Sequence, residues 1–175
     1  MYQAHQLHRV DYSGMNVSAF GDIAGVPMNK GIIPLIQILR ERRIAAGKVD
    51  LVGHSMGGIL SRLTQLSNSN KDNIRTIITL NTPHAGSQFA NFIQDKNSSV
   101  RNFFCENIVP AAESLGFEIS CETGSIMDLA VDSEAIRDLN ASIPSLPVPV
   151  HAVTTYADPP QVPWFTPVIH PLLQL

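Results

Sequence analysis

Lys48 to Arg62 reads KVDLVGHSMGGILSR. Its first part, Val49-Asp50-Leu51-Val52-Gly53, is a short apolar run that reads as a strand. Its last part begins a helix from Met56 to Ser67, with Ile59, Leu60, Leu63 and Leu66 on one side. Between the two, Gly53-His54-Ser55-Met56-Gly57 fits G-x-S-x-G. A strand leading in and a helix leading out is the setting that gives this motif its meaning. The reason is steric. A serine on a tight, strained turn is held exposed at the carboxyl end of a sheet, and the flanking glycines let strand and helix approach closely. The backbone N–H of Met56, at the helix start, points to the same place and suits a developing oxyanion. Ser55 is therefore a candidate nucleophile and Met56 a candidate oxyanion donor. The competing reading is an ordinary glycine-rich turn with an incidental serine.

Working outward, "HQLHRVDY" alternates Leu7 and Val10 with polar neighbours and reads as a strand. Residues 13–29 read as loop. Ile32, Leu35, Ile36 and Leu39 recur at helical spacing, with Pro34 in a first turn and Gly47 as a stop. The cluster Arg40-Glu41-Arg42-Arg43 falls at that helix end, where cations complement the dipole. "IRTIITL", Ile74 to Leu80, is β-branched and nearly continuous, as in a strand buried on both faces. Strand, helix, strand, helix, strand in that order argues for an α/β fold with a mostly parallel sheet. The pattern then lapses over residues 81–147. There "SEAIRDLN" reads as a short helix capped by Asp132 or Ser133, and a strand returns at Val148 to Ala157. A long insertion between parallel strands is often a lid over a site.

The 175 residues suffice for one domain with a real core. Hydrophobic residues make up 44%, which argues against disorder. Charged residues make up only 15%, so apolar surface is available to a lipid-like substrate or a partner. The net charge of −3 and scattered basic residues argue against nucleic-acid binding. The sequence has no apolar run long enough for a transmembrane span, and Met1 to Gly14 has no signal-peptide pattern. Cys105 and Cys121 flank a loop-rich segment and suit either a disulfide in an exported protein or two reduced thiols. No cofactor or metal is expected.

With these residues in view, the chain resembles the α/β-hydrolase superfamily, and within it bacterial lipases and esterases. "VDLVGHSMGG" followed by "ITLNTPHAGS" is similar to a strand pair those enzymes carry. "VDYSG" resembles the strand end two elements before the nucleophile. "SIMDLAVDSEAIRDLN" and "VPVHAV" resemble the lid region and the next strand. The resemblance implies a partial α/β-hydrolase fold, with residues 88–140 as a lid or cap. It implies acyl-ester hydrolysis on an ester or lipid substrate, and it favours an exported bacterial protein. It also implies the order serine, acid, histidine along the chain, so both partners should follow Ser55. Rival readings are a non-catalytic binding module on this scaffold, or a thioesterase, amidase or acyltransferase.

The partners are harder to find. His5 and His8 precede the serine, His54 sits inside the elbow, and His151 lies in a strand. His84, in "NTPHAGS", is a candidate for lining the substrate cleft. His170 follows any plausible acid but sits in a proline-rich tail with no strand ahead of it. Asp158, at the end of "VPVHAVTTYAD", is the candidate acid, against an ordinary turn at Asp-Pro-Pro. Asp128, Asp132 and Asp138 read as caps or a solvated face. The family's His-Gly loop, and the strand before it, have no counterpart ahead of residue 11. The expectation is therefore a core over residues 1–175 that is an internal piece of a longer hydrolase, weak or inactive alone. The missing remainder of that hydrolase is then its natural partner. The alternative is a shrunken sheet in which "HRVDY" pairs directly with "VDLVG".

Overall fold

The computed structural model describes residues 6–11, 20–66, 71–114, 120–122, 124–143 and 148–155. Three strands, β1 (Val49–His54), β2 (Ile74–Leu80) and β3 (Val150–Val153), form one parallel sheet in the order β1-β2-β3. Gly53 stands opposite Thr79, and His54 opposite Leu80. Thr79 and Leu80 in turn face Ala152 and Val153. The helix α3 (Met56–Leu66) joins β1 to β2 and packs on both.

Two further helical segments precede the sheet: α1 (Phe20–Ile23), then π-helical turns over Pro27–Ile32 running directly into α2 (Ile33–Glu41). Most of residues 20–29 is thus helical where loop is expected. Pro34 sits in the first turn of α2, as its missing N–H allows. The helix ends at Glu41 rather than at Gly47. Arg43 adopts a left-handed φ of 59°, and Ile44 N–H bonds back to the Leu39 carbonyl.

Between β2 and β3 lie α4 (Gln88–Gln94), α5 (Ser99–Phe103), π-helical turns over Phe104–Ile108, α6 (Val109–Ser114), α7 (Gly124–Leu129) and α8 (Glu134–Ala141). Ser87, Ser98 and Ser133 each cap the helix that follows by accepting a backbone N–H. Of the two cap candidates for α8, Ser133 holds the position, and Asp132 is left-handed before it. The excursion closes where it opened: Ser87 N–H bonds to Leu129 O at 2.7 Å. Asp128 accepts the Phe20 N–H at 2.7 Å, so it anchors the start of α1. Cys105 and Cys121 form a disulfide with sulfurs 2.04 Å apart.

The core has two parts. Phe20, Ile23, Ile59, Leu60, Ile136 and Leu139 join α1, α3 and α8. Met28, Ile32, Ile36, Ile74, Ile77 and Val148 join the segment before β1 to the sheet. Each such side chain contributes about 1.5–3 kcal/mol when fully buried.

Two strand expectations are corrected. Residues 7–11 run as irregular chain, not as a strand, and β3 is only four residues long. A strand needs a paired neighbour, and residues 6–10 are held otherwise. His8 Nε2 bonds to Lys30 O at 3.0 Å. Val10 fills the space a Cβ on Gly31 would occupy. Direct pairing of this segment with β1 does not occur. Instead a groove of about 700 Å³ runs between Leu7, Val10 and the outer edge of β1. Val52, in β1, is 64% exposed there.

The disulfide closes a loop with a sequence separation of 16. In the chain-entropy account such a loop corresponds to about 3 kcal/mol. Replacing Cys105 and Cys121 by serine should lower the unfolding free energy by about that amount, read as a fall in the urea midpoint.

Candidate active site

The turn at Ser55 is the point where β1 becomes α3. Ser55 has φ of 51°, a left-handed backbone that a residue with a Cβ adopts only at a cost. Its surroundings fix that conformation from both ends. Ser55 N–H donates to Leu80 O at 3.0 Å. Ser55 O accepts from Gly58 N–H and from Thr82 Oγ1, each at 3.0 Å. The glycines are there for space. A Cβ on Gly53 would lie 2.5 Å from Gly57 O and Gly58 N, both backbone atoms. A Cβ on Gly58 would lie 2.1 Å from Thr82 Oγ1. So β1, α3 and the turn after β2 meet at one residue, and Ser55 sits at the carboxyl end of the sheet. Met56 opens α3, where a helix leaves its first N–H groups without intrahelical acceptors. The strand–turn–helix geometry expected of the motif is formed.

The turn after β2 carries a second polar arrangement. His84 Nδ1 lies 2.9 Å from Arg62 Nη1, and His84 Nε2 lies 2.9 Å from Thr79 Oγ1. Arginine has no acceptor, so Nδ1 accepts and the Nε2–H donates to the threonine. Asn140 Nδ2 donates to His84 O at 2.9 Å. Arg62 also donates to Leu139 O and to Asn140 Oδ1. Burial, and then the Arg62 charge, hold the His84 pKa below its ordinary 6.5. Burial likewise lowers that of Arg62.

His84 does line a cavity, but Ser55 is not in its wall. Its ring ties α3 to β2, its carbonyl holds the end of α8 through Asn140, and both ring nitrogens are occupied. His54 lies on β1, next to the groove, and His151 on β3. Ser55 Oγ bonds to no histidine among the described residues. Asp158, His170 and His5 lie outside the described residues. Thr82, Arg62 and Asn140 are structurally central and were not singled out by sequence reading. Arg62 offered one signal, since it lies three residues after Ile59 on the apolar side of α3. Nothing comparable marked Thr82 within "NTPHAGS".

The fold and the elbow are those of the α/β-hydrolase class, which includes lipases and esterases. A family described as "PGAP1-like alpha/beta domain" matches residues 11–158, and the chain belongs to that family. It is 35% identical over 92 residues to triacylglycerol lipases of Pseudarthrobacter phenanthrenivorans and Burkholderia plantarii. Each match covers 51% of this chain, and 28% and 25% of those proteins. The chain is 29% identical over 121 residues to a Yarrowia lipolytica protein named "Putative GPI inositol-deacylase C". That match covers 67% of this chain and 13% of its relative. The mature lipase BlEst2 of Bacillus licheniformis shares the fold, with a TM-score of 0.51 and 19% identity. The likeness covers 77% of this chain and 47% of that one. The chain thus spans about a quarter of the length of the lipases it matches in sequence.

Two outcomes follow from these contacts. Thr82→Val removes the hydroxyl that holds Ser55 O while keeping the shape, and should destabilise the fold by about 1–2 kcal/mol in urea titration. For His84, the folded state disfavours the proton, so the unfolded chain binds it more readily. Stability from this group is present above pH 6.5 and is lost as pH falls below it. The urea midpoint should therefore drop on acidification in the parent chain, and drop less in His84→Gln.

Proposed function

We propose that this chain is the core of a serine ester hydrolase of the lipase or carboxylesterase kind. Ser55 Oγ attacks the acyl carbonyl, and Met56 N–H stabilises the oxyanion that forms. A histidine accepts the serine proton and returns it to the leaving alcohol, and a carboxylate orients that histidine. Asp158 is the carboxylate of this reading. Residues 88–140 form a lid over the acyl group. The observation that carries the proposal is the left-handed Ser55, held at both of its peptide groups between a strand and a helix. Backbone strain of this kind persists where the surroundings over-determine it, and it clusters at functional sites. Triacylglycerol lipases among the relatives favour an acyl ester of glycerol as substrate. A second reading within the same chemistry is deacylation of a lipid-linked inositol, favoured by the name of the relative that matches two thirds of this chain.

A fluorophosphonate probe tests the nucleophile directly. Labelling should map to Ser55 and disappear in Ser55→Ala. A folded sample that takes up no label would sink the reading for this chain and favour a binding module. Hydrolysis of p-nitrophenyl esters of increasing length, compared with an acylated inositol, separates the two substrate classes.

A further inference from the structure

The cavity beside His84 has a volume of about 350 Å³ and a mixed lining. Arg62, His84 and Asn140 are its polar residues, and Ile143, Val148 and Val150 are among its aliphatic ones. Arg62 is only 3% exposed, yet each of its acceptors is neutral: an imidazole, a peptide carbonyl and an amide oxygen. No carboxylate pairs with it among the described residues. A buried cation without an anion is strongly unfavourable. A guanidinium also carries more N–H donors than these acceptors take up. Its local electrostatics thus favour a single negative charge. The contacts to His84, Leu139 and Asn140 use both Nη2 hydrogens and one on Nη1, which leaves a single N–H on Nη1 and the Nε–H for an anion, and no second Lys or Arg is among the described residues that line the cavity. The aliphatic lining residues suit a hydrocarbon tail, and Ile143 is 52% exposed. A volume of about 350 Å³ is that of a small-ligand pocket.

We propose that this cavity binds a medium-chain fatty acid, with its carboxylate on Arg62 and its chain along Ile143, Val148 and Val150. The site stands apart from Ser55, so its occupancy does not depend on hydrolysis. The test is calorimetric titration of octanoate into the Ser55→Ala protein, where catalysis plays no part. Octanoate should bind saturably at one site. Octanol, which lacks the charge, and acetate, which lacks the tail, should each bind at least about tenfold more weakly. Ile143→Glu places a like charge at an exposed wall position and should weaken octanoate about tenfold with the melting curve unchanged. Arg62→Leu, if it folds, should bind octanoate no better than octanol. If it does not fold, Ile143→Glu decides. Absence of saturable octanoate binding, equal binding of octanol, or undiminished binding in Ile143→Glu would each overturn the proposal.

Discussion

The left-handed backbone at Ser55 constrains everything around it. A non-glycine residue in that region costs about 1–3 kcal/mol and survives only where neighbours over-determine it. Here they do so with hydrogen bonds from two directions and glycines on both sides. The carbonyl of Leu80, at the end of β2, takes the serine N–H. Two residues later, Thr82 holds the serine carbonyl. The strain is thus balanced by the sheet itself, and the register of β1 on β2 sets where the serine stands.

From Thr82 the constraint passes onward. His84 follows in the same turn, and its ring bridges Thr79 in β2 and Arg62 in α3. Arg62 and Asn140 then fasten the end of α8 to that turn. At its other end the helical excursion is fastened by Ser87 to Leu129 and by Asp128 to the start of α1. The α4–α7 region is therefore pinned at its base by polar contacts and stapled within by one disulfide. Its apolar side chains Phe103, Ile108 and Met127 remain exposed. A segment tied at its base with exposed apolar residues is built differently from the core, where Ile59, Leu60 and Ile77 are fully buried.

Local rules read the elbow well, because its strand, glycines and helix pattern lie in one contiguous stretch, although the Leu80 and Thr82 contacts that hold Ser55 lie outside it. The same holds for α2, β2 and the cap of α8. Pairwise features were less legible. Residues 7–11 have the alternation of a strand, but alternation does not supply a neighbour, and His8 and Val10 are engaged elsewhere. The helical character of residues 20–32 was hidden by its glycines, Pro27 and an irregular, π-type winding. His84 is expected to line the substrate cleft because "NTPHAGS" resembles a segment that lipases carry near their site, and the sequence carries no sign of its hydrogen bonds. Its occupied ring nitrogens depend on Arg62, twenty-two positions away, and that contact leaves no mark in the local sequence. The carboxylate candidate Asp158 belongs to a stretch beyond the described residues.

The two cavities illustrate why chemistry, more than size, decides what a concavity is. The larger one, along β1, borders the edge of a sheet, where the groups facing it include main-chain N–H and C=O and the exposed Val52. Main-chain groups of a strand edge are a template for any strand of matching register, so they select a ligand by neither charge nor polarity. The smaller one contains a cation that has been taken out of water and has only neutral partners among the described residues. Water is largely excluded from that guanidinium, and the neutral acceptors around it do not balance its charge. A buried, uncompensated charge discriminates among ligands by sign, and its aliphatic surroundings discriminate by polarity. Together they make the smaller cavity the more selective of the two.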